Sequence, residues 1–103
     1  MFEGLKNLLG LEKTDFALLK QEGAIILDVR SKREYEGGHI RGSVNISVDQ
    51  LVSNLHKLQD KNKPIITCCA SGARSASAKS ILASNGYTNV HNGGGWMSLQ
   101  NKL

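Results

Sequence analysis

Two adjacent cysteines, Cys68 and Cys69, open a segment of small residues that ends at Arg74 and Ser75. The apolar residues before this segment predict a strand, and the residues after it predict a helix. Small side chains let the backbone curl tightly and direct its N–H groups inward, and the helix N-terminus adds the positive end of its dipole. Such a ring binds anions, and a cysteine sulfur at its centre is favoured as the thiolate.

Several donors must act together to stabilise that thiolate. The pKa of a cysteine in such surroundings falls from about 8.5 to roughly 3.5–7.5, and each unit corresponds to about 1.4 kcal/mol. A helix dipole supplies at most about 2 kcal/mol, so backbone amides must contribute the rest. We expect Arg74 to close the loop by binding an anionic substrate or by bracing the turn, and Ser75 to cap the helix or donate a hydrogen bond. The predicted anion-binding loop comprises Ala70, Ser71, Gly72, Ala73, Arg74 and Ser75.

The choice between the two cysteines rests on spacing. Neighbouring strand residues point to opposite faces, so Cys69 emerges into the loop if Cys68 ends the strand as a buried, inert small hydrophobe. The pattern from Cys69 is C-x4-R, a ring that suits a single terminal sulfur. From Cys68 it is C-x5-R, the spacing of cysteine-dependent phosphatases. Gly72 lies three residues after Cys69 and favours it. A redox role for Cys68, resolving oxidation of its neighbour, stays open at this point.

Other polar residues are interpreted as structural support. Asp28, Arg30 and Glu34 follow the first predicted strand, where an ion pair or helix cap would fix loops near the site. His39 is not expected to act as a general base, because a thiolate stabilised by amides needs none. Adjacent cysteines and widely spaced histidines do not match a metal site. We therefore expect neither a metal nor an organic cofactor.

Length and composition limit the class of protein. The 103 residues carry 13 Lys and Arg against 9 Asp and Glu, for a formal net charge of +4. This length corresponds to a single domain. The positive net charge favours binding of small anions or of an acidic partner. Scattered basic and aromatic residues argue against nucleic-acid binding. Two cysteines are too few for a disulfide scaffold, and no apolar run approaches the roughly 18–20 residues of a transmembrane helix.

The first twelve residues are predicted to be an amphipathic extension of a single domain that covers residues 1–103. Leu5, Leu8 and Leu9 fall on one helical face, while Glu3 and Lys6 interrupt the apolar run that a secretory signal requires. Two thiols without a signal favour a reducing, cytoplasmic location.

Alternating strand and helix patterns predict an α/β domain. Strands are expected at residues 24–29, 44–46, 65–68 and 89–91, with residues 93–95 as a loop. Helices are expected at residues 15–22 after a Thr14 cap, at a short segment opened by a Ser31/Glu34 capping box, and at 47–58, 74–85 and 96–102. Strands that alternate with helices form parallel sheets covered on both faces, and ligands bind where strand C-termini meet helix N-termini.

Four ordered blocks resemble the rhodanese family of sulfurtransferases. They are Leu27-Asp28-Val29-Arg30 with Glu34 and Tyr35, the segment Gly38 to Ile46, the Cys69 to Ser75 loop, and Gly94-Gly95 with Trp96. The resemblance covers about residues 14–96. It implies a five-stranded parallel sheet flanked by helices on both faces, with Trp96 either lining the site or anchoring the final helix.

The resemblance also implies an activity. Cys69 would take a sulfane sulfur from thiosulfate or a persulfide donor, hold it as a persulfide, and pass it to a thiol or cyanide acceptor, with a protein acceptor as a further option. The loop departs from the family pattern at Ala70, where a charged or bulky polar residue is common, and Ala73 is also uncharged. Strong thiosulfate turnover is therefore in doubt, and we expect these small, uncharged loop residues to suit a persulfide donor better.

Two other functions stay open from the sequence. The domain could be a low-turnover sulfur relay or interaction module that serves a dedicated partner. The small loop residues and the N-terminal extension support this hypothesis. It could also be a phosphatase or arsenate reductase that uses Cys68 in C-x5-R. The absence of a glycine in register with Cys68 counts against the second alternative.

Overall fold

The structure, a computed structural model, describes residues 13–103. The strands are β1 (Ile25–Asp28), β2 (Val44–Asn45), β3 (Ile65–Cys69) and β4 (Val90–Gly95). The α-helices are α1 (Phe16–Gln21), α2 (Lys32–Glu36), α3 (Ala73–Ser84) and α4 (Trp96–Gln100), and 3₁₀ helices span Val48–Gln50 and Val52–Lys57. The predicted N-terminal extension at residues 1–12 lies outside the described residues, and the single-domain interpretation stays a prediction.

All the strands pair in parallel, in the order β2-β1-β3-β4. The α/β class and the parallel sheet are therefore confirmed. The expected count of five strands is wrong for residues 13–103, which form four. The segment between β2 and β3 is taken up by the two 3₁₀ helices and by turns, so it supplies no further strand.

The central strands bury side chains on both faces of the sheet. Leu27 and Ile65 pack on one face, against residues of α3 and the 3₁₀ segment. Ile26 and Ile66 pack on the other face, against α1 and α4. Two-sided burial explains why β1 and β3 are continuous apolar runs rather than alternating ones, and it confirms helices on both faces.

Two helix predictions are wrong in detail. Asp15, rather than Thr14, is the N-cap of α1, and its carboxylate accepts a 3.0 Å hydrogen bond from the Leu18 N–H. Residues 47–58 form 3₁₀ turns rather than one α-helix, with a break at Asn54 (φ −123°). Ser47 makes no side-chain capping bond there. The capping box at α2 is confirmed, since Ser31 and Glu34 each accept from the other's backbone N–H.

The glycine run at residues 93–95 belongs to β4 and is not the predicted loop. A Cβ at Gly93 would lie 2.8 Å from Ile66, from Leu99 and from the carbonyl oxygen of Thr67. This position therefore needs glycine for close packing inside a strand. Among residues 13–103, no helix is long and apolar enough to cross a bilayer.

Candidate active site

Cys69 is the last residue of β3, one residue beyond the predicted end of the strand. Its side chain is 1% exposed and lies with the core on the α3 face, whereas Cys68 lies with the core on the opposite face. The alternation expected from the strand period thus separates the two thiols. Cys69 stands at the carboxyl edge of the sheet, directly before the turn into α3, and Cys68 does not reach that turn.

The turn after Cys69 points backbone N–H groups at the sulfur. The Gly72 N–H donates to Sγ of Cys69 at 2.9 Å, and the Ser75 N–H donates at 3.4 Å. Gly72 adopts φ +111°, a left-handed conformation that glycine tolerates best, and this lets the chain double back over the sulfur. Two of the six predicted loop residues, Gly72 and Ser75, thus direct their backbone N–H groups at the sulfur, and the full ring from Ala70 to Ser75 stays a prediction.

The two thiols differ in acidity. Burial by itself raises the pKa of Cys69, but hydrogen bonds from Ser75, Gly72 and Ser71 outweigh burial, and the pKa is lowered overall. Burial raises the pKa of Cys68 to about 12, and the nearby Asp28 carboxylate adds to the rise. At neutral pH Cys68 is therefore a thiol, and Cys69 carries the greater thiolate fraction.

Strand β4 braces the loop through contacts that the sequence did not reveal. Oγ of Ser75 lies 2.9 Å from the Gly72 carbonyl oxygen and 2.6 Å from Oδ1 of Asn92. Asn92 also accepts a 2.9 Å hydrogen bond from the Gly94 N–H. A Cβ at Gly95 would lie 3.0 Å from the Ala70 carbonyl oxygen, so the glycine run lets β4 approach the loop closely.

Arg74 is bound by an acidic residue of α2. Its Nη1 and Nη2 atoms donate to the two carboxylate oxygens of Glu34 at 2.7 and 3.0 Å. Hydrogen bonds from Arg74 and from the Ser31 backbone lower the pKa of Glu34 from 4.5 to about 2. Of the two roles expected for Arg74, the structure shows a contact that braces the loop, and its partner Glu34 is one of the residues expected to give structural support.

Asp28 and Arg30 form a buried ion pair beside this contact. Nη2 of Arg30 lies 2.8 Å from Oδ2 of Asp28, and Nε donates to the same carboxylate. The guanidinium also donates to the carbonyl oxygens of Gly38 (2.7 Å) and Glu34 (3.3 Å) and lies 4.8 Å from the Trp96 ring centroid. The pair therefore joins the end of β1 to the middle of α2, to the turn that follows α2, and to α4.

Two further candidates have packing contacts. Nδ1 of His39 lies 2.6 Å from the Tyr35 carbonyl oxygen, and the two rings stack with centroids 3.7 Å apart. Trp96 packs on Arg30 and on Gly38, where a Cβ would lie 3.3 Å from the indole. Asn45, which sequence reasoning missed, donates from Nδ2 to the carbonyl oxygens of Asp28 and Arg30.

The rim of the site is uncharged and open. Ala70, Ser71 and Ala73 are exposed above the buried sulfur. Arg74 lines an adjoining open cavity of about 370 Å³ together with Ser31, Lys32 and other polar residues. No cluster of three or more His, Cys, Asp or Glu side chains suited to a metal occurs within residues 13–103. Fold and site thus define a parallel α/β domain in which a central strand ends in a cysteine whose sulfur accepts hydrogen bonds from backbone N–H groups of the following turn.

Comparison with known proteins identifies the family. The family model for the rhodanese-like domain matches residues 12–102, and the chain belongs to this family. The thiosulfate sulfurtransferase PspE of Escherichia coli is 36% identical over 70 residues, which are 67% of each chain. The thiosulfate sulfurtransferase GlpE of Pseudomonas fluorescens is 30% identical over 73 residues, which are 71% of this chain and 66% of that one. The chain thus spans about two thirds of the length of these relatives.

Solved structures agree with this assignment. A human single-domain sulfurtransferase superposes with a TM-score of 0.73 at 29% identity, covering 84% of this chain and 89% of that one. A structure described as rhodanese with anions, from E. coli, gives a TM-score of 0.67 at 32% identity, covering 74% and 91%. The resemblance in sequence therefore extends to the fold.

Proposed function

We propose that this chain is a sulfurtransferase that carries a sulfane sulfur on Cys69. The observation that carries the proposal is the pair of N–H groups, from Gly72 and Ser75, that point at Sγ of Cys69. Such donors stabilise an anionic sulfur before and after it accepts a second sulfur atom. Membership in the rhodanese-like domain family and the names of the relatives support the same activity.

The proposed reaction has two balanced half-reactions. In the first, the Cys69 thiolate attacks the outer sulfur of thiosulfate; a new S–S bond forms, the old one breaks, and sulfite leaves with the electron pair. With an alkyl persulfide as donor, the leaving group is the alkyl thiolate. In the second half-reaction, an acceptor thiolate or cyanide attacks the outer sulfur and Cys69 leaves as the thiolate. The products are an acceptor persulfide or thiocyanate.

A general base is unnecessary in this scheme. The lowered pKa of Cys69 increases its thiolate fraction without a neighbouring base, and His39 is held against Tyr35. The exposed, uncharged rim formed by Ala70, Ser71 and Ala73 leaves room for a small donor, a thiol or a protein acceptor. A reducing, cytoplasmic compartment would keep Cys69 available.

The phosphatase alternative requires Cys68 as the nucleophile, and two observations count against it. Its side chain is fully buried on the face of the sheet opposite the loop, and its pKa is raised to about 12. Phosphatase activity that is lost in Cys68→Ala but kept in Cys69→Ser would reverse this conclusion.

Intact mass measurement tests the proposal. The chain is incubated with thiosulfate or with a low-molecular-weight persulfide, and the mass is then measured before and after addition of cyanide. We expect one added sulfur atom on the wild type and on Cys68→Ala, and its loss as thiocyanate with cyanide. We expect none on Cys69→Ser. A chain that gains no sulfur from either donor, or gains it in Cys69→Ser, would refute the proposal.

A further inference from the structure

Arg74 is the one charged residue in the loop from Ala70 to Ser75, and its charge is already matched. Both terminal nitrogens of its guanidinium are used on Glu34, at 2.7 and 3.0 Å, in the bidentate geometry that arginine and carboxylate groups favour. An anion that enters the loop therefore meets a neutral pair rather than a free cation.

The carboxylate is fixed by its own helix as well as by Arg74. Oε1 of Glu34 accepts a 3.1 Å hydrogen bond from the Ser31 N–H, and Oγ of Ser31 accepts one from the Glu34 N–H at 3.2 Å. This capping box holds Glu34 at the first turn of α2, facing the loop. Release of Arg74 to a substrate would break two charge-assisted hydrogen bonds, so the substrate must compete with a preorganised partner.

Other cations do not replace Arg74. Lys32 lines the same cavity, but its side chain is 87% exposed and its nearest carboxylate oxygen is on Glu36 at 3.9 Å, so solvent screens its charge. Arg30 is buried and occupied by Asp28. The groups that stabilise an anion at Cys69 are thus the backbone N–H groups of the loop and the Ser75 hydroxyl.

We propose that Glu34 determines which sulfur donor the site accepts, by withholding Arg74 from dianions such as thiosulfate. The site then favours donors that carry at most one negative charge in total at the reacting group, as in alkyl persulfides, over dianionic thiosulfate. This inference rests on the proposed sulfurtransferase function. It goes beyond that function by naming the donor class and the residue that sets it.

The test compares donors rather than absolute rates. Glu34→Gln frees Arg74 and still permits a capping box, since glutamine serves at this position. The matched control is Glu36→Gln, which removes the same charge from the same helix but not from Arg74. The measured quantity is the ratio of kcat/KM for thiosulfate to kcat/KM for a low-molecular-weight persulfide.

We expect Glu34→Gln to raise that ratio about three- to fivefold, near the upper end of what a partly exposed charge contributes against one extra substrate charge. Glu36→Gln should leave it within about twofold of wild type. The gain should shrink in high salt and vanish in an Arg74→Gln background, as a double-mutant cycle requires if Glu34 acts through Arg74. Glu34→Asp, with its shorter reach to Arg74, should give a smaller gain and serves if Glu34→Gln is unstable.

Equal ratios in Glu34→Gln and Glu36→Gln, or a gain that persists in the Arg74→Gln background, would overturn the inference. Either result leaves the sulfurtransferase function intact if wild-type Cys69 still acquires a sulfur. Failure of Cys69 to acquire sulfur from any donor is a separate result that overturns the function itself.

Discussion

Asp28→Asn is expected to lower the free energy of unfolding by about 3–5 kcal/mol, the typical cost of removing one partner of a buried ion pair. The substitution keeps the shape of the side chain and removes its charge. Arg30 would then remain as a buried cation without its counter-ion. The loss is a large fraction of the 5–15 kcal/mol typical of a whole domain.

The structure indicates that the cost of losing this ion pair lies near the upper end of the range of about 3–5 kcal/mol. Asp28 is fully buried and Arg30 is 4% exposed, so solvent cannot replace the lost interaction. The carboxylate accepts hydrogen bonds at 2.8, 3.0 and 3.1 Å from the guanidinium and a further one at 3.0 Å from the Arg30 backbone N–H. Arg30 also contacts the carbonyl oxygens of Gly38 and Glu34 and the ring of Trp96. None of these groups carries a formal charge, so none can replace the Asp28 carboxylate as a counter-ion.

Urea unfolding followed by circular dichroism measures the effect, with the slope of the transition checked against wild type. Glu36→Gln is the control, because it breaks an exposed pair with Lys32 whose side chains are 63% and 87% exposed. That change should cost no more than about 0.5 kcal/mol. A loss below about 1 kcal/mol in Asp28→Asn, with an unchanged slope, would refute the importance assigned to the buried pair.

Two further predictions follow from the pKa shifts. Because the pKa of Cys69 is lowered and that of Cys68 is raised to about 12, iodoacetamide should modify Cys69 at a lower pH than it modifies an ordinary thiol and should spare Cys68 in the folded chain, as read by peptide mass spectrometry. Equal labelling of the two thiols would contradict the site geometry. Because the pKa of Glu34 falls from 4.5 to about 2 on folding, its contribution to stability is complete above about pH 4.5 and is lost as the pH drops toward 2. The free energy of unfolding, measured across this pH range, should fall less steeply with decreasing pH in Glu34→Gln than in wild type. An equally steep fall would count against the Glu34–Arg74 contact.

Features set by neighbouring residues could be predicted from the sequence. The Ser31/Glu34 box requires residues three positions apart, and the opposite facing of Cys68 and Cys69 requires only the period of a strand. The continuous apolar run of β1 correctly predicts burial on both faces. The backbone N–H groups directed at Cys69 belong to a segment of small residues between a strand and a helix, which is the pattern that favours such contacts.

Features set by distant residues could not be predicted in this way. Glu34 and Arg74 are 40 residues apart, and only the folded chain brings α2 close enough to the first turn of α3 for them to meet. Asn92 lies in a segment with weak strand character, and its contact with Ser75 depends on the pairing of β4 with β3. Gly93 has the composition of a loop residue, yet the tight approach of Ile66 and Leu99 places it in a strand.

The support that β4 gives the loop has a consequence for biosynthesis. Asn92 follows Ser75 by 17 residues, and the Gly95 backbone must reach Ala70 before the turn is fully packed. Translation proceeds from the N-terminus, so a nascent chain that ends before β4 has Cys69 without the braced turn around it. The turn around that sulfur is therefore completed only when β4 emerges and pairs with β3.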